Sequence, residues 1–250
     1  MYAPLKTQLR RLYWLVSHRI EDGRDADGVY FHQNYKRAVH FSFDDGPREN
    51  QTAIVSRLLA ERGVQGTFFM EGWRILAFPE IVREVDAAGH LIGNHTFSHR
   101  FERPGFTPTR IAGEIVRGQR ALDQVLRDRY PRGYPHRLFR PPEGFPWSRD
   151  GTRDERRKIR RVLAGLGFRL VLWQIDSGDW NWPENPDAIL NSCSRQIEAG
   201  AGGVILFHDS HPALAPAVGK LIDYCRDRSV KISDFYSLVG PSAASNGAAP

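Results

Sequence analysis

The sequence predicts an α/β protein in which parallel strands alternate with helices. Short β-favouring runs alternate with helix-like segments about seven times between residues 37 and 235, and the connections between them are short. A length of 250 residues suits one sizeable domain, and single α/β barrels often have this size. The alternation by itself fits a closed or distorted barrel, or an open doubly wound sheet.

The strands are predicted from runs rich in β-branched and aromatic residues. In order they are RAVHFSF, GTFFMEG, HLIGNH, HRLFRPP, FRLVLWQID, GGVILFHD and VKISDF. Apolar residues at helical spacing predict helices near residues 51–62, 79–88, 108–129, 152–166, 186–199 and 214–228. In the first of these helices, Ile54, Leu58 and Leu59 are expected to face inward.

The two ends of the chain differ from this alternation. Residues 5–20, LKTQLRRLYWLVSHRI, predict an amphipathic helix that packs on the domain, with contact with a membrane surface as the alternative. The small, uncharged end, GPSAASNGAAP, is typical of a disordered tail. The predicted organisation is a helical extension at 1–36, a main domain at 37–239 and a tail at 240–250.

The formal net charge of +6 does not predict a nucleic-acid partner. The densest basic run, RDERRKIRR at 153–161, is interrupted by two acidic residues and contains no aromatic residue. We therefore expect it to be the solvated face of a helix.

Two features favour a cytoplasmic location. The longest apolar run near the start, residues 12–16, is shorter than the roughly 7 to 15 residues of a signal-peptide core. It is also far shorter than the roughly 20 residues of a membrane span. Cys193 and Cys225 have neither metal-like nor framework-like spacing, so we expect free thiols.

Polar residues stand where the predicted strands end. They are Asp44 and Asp45 after the first strand, His95 after the third, Arg140 after the fourth, Asp176 after the fifth and His208 after the sixth. In a parallel barrel these ends lie on one face, where the catalytic groups of such barrels gather. The sequence therefore predicts one site at that face.

A metal site is predicted from His95 and His99 together with the adjacent carboxylates Asp44 and Asp45. Histidines four residues apart lie on one side of a helical turn. Two histidines and one carboxylate are a ligand set of catalytic zinc. One aspartate can bind the metal while the other takes a proton from the water it activates, and the cation offsets the repulsion between them. Gly46 would allow the tight turn that this requires.

Five motifs resemble the polysaccharide deacetylases of carbohydrate esterase family 4, the NodB-homology domain. They occur in the family's order and span roughly residues 37–235. The motifs are FSFDDGP at 41–47, HTFSH at 95–99, RPPEG at 140–144, DSGDW at 176–180 and LFHD at 206–209. The resemblance implies a distorted (β/α) barrel of about seven parallel strands that removes N-acetyl or O-acetyl groups from sugars with one divalent metal, usually zinc.

The resemblance also implies roles for the residues at the motif positions. Asp44 is similar to the family's catalytic base. Asp45, His95 and His99 are similar to its metal ligands, and His208 to its general acid, which protonates the leaving nitrogen. The expected substrate is an acetylated sugar or oligosaccharide, and we expect a monomer.

Further roles follow from the same resemblance. Arg140 is similar to the residue that orients the base, and Asp179 to the one that tunes the acid histidine. Trp180 and Leu206 would form the wall of the acetyl pocket. Glu143 stands where many members have an aromatic residue; its backbone N–H can still bind the oxyanion, so this departure affects the substrate more than the chemistry.

Other interpretations remain at this point. Taken singly, Arg140 could form a structural ion pair, Asp179 could occupy a turn and His208 could be a satisfied core histidine. The same centre could serve a metal-dependent amidohydrolase acting on a small non-sugar amide. The chain could also be an inactive carbohydrate-binding descendant of the family. Metal content together with acetate release distinguishes these possibilities.

Overall fold

One sheet of eight strands forms the centre of the protein, and every strand pairing in it is parallel. The computed structural model describes residues 28–100, 107–148 and 151–241. The strands are β1 (Ala38–Gly46), β2 (Gly66–Met70), β3 (Leu91–Asn94), β4 (Leu138–Phe139), β5 (Arg169–Leu170), β6 (Ile175–Asp176), β7 (Gly203–His208) and β8 (Lys231–Ile232). Their order is β5-β4-β3-β2-β1-β7-β6, and β8 pairs with the start of β1.

The two outermost strands of this order, β5 and β6, come from one segment of chain. The run at 168–176, predicted as a single strand, pairs with β4 through Leu138 and Arg169 and then with β7 through Ile175 and Ile205. Residues 171–174 therefore join the two edges, and the sheet curls into a distorted barrel. The predicted α/β barrel of parallel strands is confirmed, with one predicted strand divided into two.

Helices cover the outside of the sheet, and most lie where apolar spacing predicts them. They are α1 (Thr52–Glu61), α2 (Gly72–Ala77), α3 (Pro79–Ala87), α4 (Pro108–Val125), α5 (Arg153–Leu166), α6 (Pro186–Glu198), α7 (Leu214–Asp227) and α8 (Phe235–Val239). Short 3-10 helices occur at Pro142–Gly144 and Asp179–Asn181. Most of the basic run in α5 is exposed or half-buried, as expected for a solvated face, with Arg156 as the buried exception.

Strand alternation divides the buried residues of β1 between two layers. Phe41 and Phe43 belong to the cluster that packs against helix residues such as Val55 and Leu59. The alternate residues, including His40 and Asp44, point into the barrel. The prediction that Ile54 faces inward is wrong: it is exposed, and the next residue, Val55, is buried instead.

Polar groups inside the barrel are paired. His40 is fully buried and lies within hydrogen-bond distance of Thr67 Oγ1 (2.8 Å) and the Ser233 carbonyl (2.9 Å). Ser42 donates to the carbonyl of Ile205 at 2.7 Å. A second cluster, which includes Phe69, fills the remaining space. The described interior of the barrel is thus packed, and the polar residues at the carboxyl ends of the strands are the candidates for a site.

The predicted N-terminal helix at 5–20 lies outside the described residues, as does the tail beyond residue 241. The domain boundaries therefore stay a prediction, although Val29 is fully buried and pairs with Val171. Cys193 and Cys225 are both buried and free. Among the helices of the described ranges, none is long and apolar enough to cross a membrane.

Candidate active site

The carboxyl ends of β1, β3, β4 and β7 bring the predicted site residues to one edge of the barrel. Asp44 of β1 is the register partner of His208 of β7, and partners in neighbouring strands point to the same face. His95 follows β3, and Arg140 follows β4 and donates its backbone N–H to the carbonyl of Asn94 at 3.1 Å. The polar residues found by their position in the sequence therefore meet in space.

Asp45, His95 and His99 form a compact cluster. One possible ligand atom of each lies within 4.8 Å of those of the other two. Asp45 Oδ1 lies 3.5 Å from His95 Nε2 and 3.2 Å from His99 Nε2. His95 Nδ1 donates to the carbonyl of Arg140 at 2.7 Å, and a carbonyl can only accept. In the neutral imidazole, Nε2 therefore carries the lone pair and points toward Asp45.

The chemistry of this cluster fits a divalent cation. Asp45 Oδ1 is buried, and no described residue makes a hydrogen bond of normal geometry to it. Burial favours the neutral carboxyl, but with both imidazoles protonated the hydrogen bonds and positive charges of His95 and His99 outweigh this and hold the pKa of Asp45 well below its usual range. An ionised carboxylate beside two imidazole nitrogens is a donor set that zinc accepts.

The backbone explains how two adjacent aspartates reach one centre. Between β1 and β2, Asp44 pairs with Phe69 and Gly46 with Met70, so Asp45 is an extra residue without a partner in β2. This bulge interrupts the alternation of faces. Asp45 also adopts a left-handed conformation (φ 70°), as does His99 (φ 59°). Such φ values are uncommon outside glycine, although Asp and His adopt them more readily than most residues, and they cluster at functional sites.

Asp44 is held by a buried arginine. Arg140 is fully buried, and its Nη1 donates to Asp44 Oδ1 at 2.7 Å. The same guanidinium donates to the carbonyls of Val171 (3.0 Å) and Leu172 (3.2 Å), and it lies 4.1 Å from the ring centre of Phe69. Asp44 Oδ2 is directed toward His95 Nε2, 3.8 Å away. The carboxylate is therefore fixed through one oxygen, and the other faces the metal cluster.

His208 is held by Asp179 in a similar way. Its Nδ1 donates to Asp179 Oδ1 at 2.8 Å, and its backbone N–H donates to Asp179 Oδ2 at 2.6 Å. Asp179 is fully buried. Burial lowers the pKa of His208, but the hydrogen bond and negative charge of Asp179, with smaller contributions from Asp44 and Asp45, raise it to about 9. The imidazolium is therefore the stable form at neutral pH.

The remaining predicted residues surround this centre less tightly. Leu206 is buried two residues before His208 in β7, so both side chains point to the same face. Trp180 is 61% exposed and directly follows Asp179. The Glu143 side chain is exposed, and its backbone N–H makes no hydrogen bond to any described residue. Its left-handed conformation (φ 55°) sets the direction of that N–H.

Asp209 is a site residue to which sequence reasoning gave no role. It is fully buried, accepts a short hydrogen bond from Thr52 Oγ1 and donates its backbone N–H to the Asp44 carbonyl at 2.8 Å. Thr52 Oγ1 in turn accepts the backbone N–H of Arg48 at 2.6 Å. Burial raises the pKa of Asp209 to about 7. The sequence signal that could have identified Asp209 as a site residue is its position directly after β7.

Comparison with known proteins identifies a family. The sequence model described as polysaccharide deacetylase matches residues 32–171. A chitooligosaccharide deacetylase of Bradyrhizobium sp. is 32% identical over 176 residues, which are 70% of this chain and 72% of the relative. A peptidoglycan-N-acetylglucosamine deacetylase of Bacillus cereus is 27% identical over 211 residues, 82% of this chain and 72% of the relative.

Solved structures agree on the fold. A CE4 family pseudoenzyme from Bacillus anthracis is 21% identical, with a TM-score of 0.69 over 85% of this chain and 68% of that chain. At this identity the likeness establishes the fold only. The family match covers more than half of the chain and includes the first three of the five motifs. The chain belongs to the polysaccharide deacetylase family.

Proposed function

We propose that this protein is a metal-dependent hydrolase that removes acetyl groups from N-acetylated sugars. The observation that carries the proposal is the meeting of three units at one edge of the barrel: the Asp45, His95 and His99 cluster, Asp44 held by Arg140, and His208 held by Asp179. The relatives named as chitooligosaccharide and peptidoglycan-N-acetylglucosamine deacetylases support the substrate class.

Asp45, His95 and His99 would hold one divalent cation, and zinc suits two imidazoles with one carboxylate. When bound there, such a cation supplies Lewis-acid polarisation of the acetyl carbonyl and lowers the pKa of a bound water to about 7. The Nδ1–H of His95, donated to the Arg140 carbonyl, keeps the imidazole turned toward the cation. The backbone N–H of Glu143 is the candidate donor for the oxygen that becomes negatively charged.

Asp44 would act as the general base. Its Oδ1 is occupied by Arg140, so the proton lost by the attacking water can be accepted by Oδ2, on the side of the metal cluster. The guanidinium fixes the carboxylate in this orientation, which makes Arg140 a positioning residue. The water oxygen forms the new bond to the acetyl carbon as the proton moves to Asp44.

His208 would act as the general acid. Because Nδ1–H is donated to Asp179, the other ring nitrogen, Nε2, carries the proton available to the leaving nitrogen. The raised pKa of His208 keeps that proton in place at neutral pH. When the C–N bond breaks, the nitrogen takes this proton and leaves as an amine, and the acetyl group leaves as acetate. An amide requires this step, since an amine anion is a poor leaving group.

The experiment is a screen for acetate release from chitooligosaccharides, peptidoglycan fragments and acetylated xylan. The protein is stripped with a chelator and assayed with and without added zinc. We expect zinc-dependent release from the N-acetylated substrates. Release from the xylan alone would shift the assignment to O-acetyl groups. Stoichiometric zinc binding without acetate from any substrate would favour a small non-sugar amide or an inactive binding protein, as the existence of a CE4 pseudoenzyme with this fold illustrates.

A further inference from the structure

A cavity of about 500 Å³ adjoins the candidate metal cluster. Two of the cluster's residues, Asp45 and His99, form part of its wall. Arg48, Glu71, Trp73 and Arg100 contribute to the rest of the lining. Sites for small ligands typically have volumes of roughly 300 to 1,000 Å³. The cavity therefore has room for a sugar unit or substituent next to the group that is hydrolysed.

The two acidic residues among the described lining residues, Asp45 and Glu71, are already engaged. Glu71 is buried and accepts hydrogen bonds from Trp73 Nε1 and from Arg74 Nε, the latter at 3.1 Å. The Arg74 guanidinium also lies 4.3 Å from the centre of the Trp73 ring and fixes the indole as a wall. Asp45 is directed toward His95 and His99. Neither carboxylate is available to neutralise a further cation.

The two arginines among the described lining residues, Arg48 and Arg100, differ in this respect. Within the described ranges, neither Arg48 nor Arg100 forms an ion pair with a carboxylate. Arg48 Nε is buried and makes no hydrogen bond to a described residue. The charges of Asp209 and Arg48 interact, but the two side chains form no hydrogen bond with each other: Asp209 Oδ2 accepts from Thr52, and Asp209 Oδ1 has no hydrogen-bond partner among the described residues. Arg48 is half-buried with its Nε inside the protein, and Arg100 is exposed. A buried guanidinium N–H without an acceptor is costly, and the fork of donors of each arginine matches a carboxylate or a phosphate.

We propose that this cavity binds an anionic substituent, a carboxylate or a phosphate, carried by the glycan beside the acetylated sugar, and that Arg48 and Arg100 pair with it. The inference rests on the proposed deacetylase function and narrows its substrate to acidic glycans. Trp73 forms the apolar wall against which the sugar ring lies. Neither arginine belongs to the hydrolytic machinery described above, so they set the choice of substrate.

The test compares kcat/KM for three glycans of equal length. The first is a neutral N-acetylglucosamine oligomer, the second alternates N-acetylglucosamine with a sugar bearing a lactyl carboxylate, and the third is the neutral oligomer with a terminal phosphate. We expect the protein to prefer an acidic glycan about tenfold or more, with the preference weakening at high salt. Whether the carboxylate or the phosphate glycan is preferred identifies the anion.

Arg48→Gln and Arg100→Gln, alone and together, should reduce the acidic-to-neutral ratio of kcat/KM toward one. Arg132→Gln is the matched control: Arg132 is an exposed arginine in the turn before β4, at the opposite end of the barrel. It should leave the ratio unchanged. Equal kcat/KM for all three glycans, or the same ratio in the cavity variants and in the control, would overturn the proposal.

A binding measurement separates this proposal from the function on which it rests. The three glycans are titrated calorimetrically into the zinc-loaded Asp44→Asn variant, with and without the Arg48 and Arg100 substitutions. Tighter binding of an acidic glycan that depends on both arginines supports the anion site even if no acetate is ever released. Acetate release with no acidic preference in binding or turnover would leave the deacetylase intact and refute the anion site.

Discussion

Replacing Asp179 by Asn should move the alkaline limit of activity to lower pH. The pKa of His208 is raised from its ordinary 6.5 to about 9, chiefly by the hydrogen bond and charge of Asp179 acting against burial. Asn keeps an oxygen for the Nδ1–H of His208 but removes the charge. An opposite charge at this distance shifts a pKa by roughly one to three units, so we expect a fall of roughly one to two. In the proposed zinc-loaded protein the cation would offset the charges of Asp44 and Asp45, which leaves Asp179 as the dominant negative neighbour.

The sign follows from the proposed role of His208 as general acid. In that mechanism protonated His208 is the active form, so activity should be lost as pH rises through its pKa, and a lower pKa should bring that loss to lower pH. The assay is the pH profile of kcat/KM on an N-acetylated oligosaccharide at saturating zinc, with NMR titration of His208 as a direct measure. Asp176→Asn is the control, since Asp176 is a nearby carboxylate that interacts with His208 through its charge but makes no hydrogen bond with it. An alkaline limb at the same pH in Asp179→Asn as in the unmodified protein would refute the assignment.

The same pKa predicts a pH-dependent stability. Because the folded state binds the His208 proton more tightly than the unfolded chain, the stabilisation is fully present below about pH 6.5 and disappears as pH rises through about 9. At 1.36 kcal/mol per pH unit the contribution amounts to about 3 kcal/mol. The difference in unfolding free energy between the protein and Asp179→Asn should therefore narrow between pH 6 and pH 10. If this difference in unfolding free energy stayed constant from pH 6 to pH 10, Asp179 would stabilise the protein through packing alone and not through the charge of His208.

His95→Ala should abolish stoichiometric zinc in a dialysed sample, as measured by elemental analysis, and full retention of zinc would show that the ligand assignment is wrong. Asp44→Asn should keep the metal, while its turnover should fall by a factor of roughly 10² to 10⁴. Loss of both metal and turnover would indicate that Asp44 is the ligand and Asp45 the base. His208→Ala should impair release from an N-acetyl sugar far more than release from an activated aryl acetate, whose phenolate departs without a proton, and equal losses would require a different acid. Thr52→Val should lower the free energy of unfolding by about 1 to 3 kcal/mol, because Asp209 loses a buried hydrogen-bond donor. Thr52→Ser keeps the hydroxyl and should retain most of that stability, as measured by denaturant unfolding.

Much of the site could be predicted because its signals are local. A polar residue directly after a run of β-favouring residues marks the carboxyl end of a strand, and parallel strands bring these ends to one edge. Asp44, His95, Arg140 and His208 were all identified from this position, and the structure brings them together.

Other features depend on neighbours distant in sequence. The bulge at Asp45 exists only relative to β2, and the division of the run at 168–176 exists only because β4 and β7 pair with different parts of it. In α1, Leu58 and Leu59 face the core as predicted, but Ile54 does not, since Ile54 and Val55 are both apolar and only tertiary packing distinguishes them. Asp209 carried the same signal as its neighbours, but its hydrogen bond to Thr52 crosses 157 residues of sequence.

The segment between β5 and β6 links the closure of the barrel to the orientation of Asp44. The carbonyls of Val171 and Leu172, where the two edges of the sheet join, accept hydrogen bonds from the arginine that orients Asp44. If this segment were displaced, the Arg140 guanidinium would lose the carbonyls of Val171 and Leu172 as acceptors and would hold Asp44 less firmly. In the proposed mechanism Arg140 fixes the base, so an insertion at residues 171–174 should reduce hydrolysis without altering any residue that contacts the substrate.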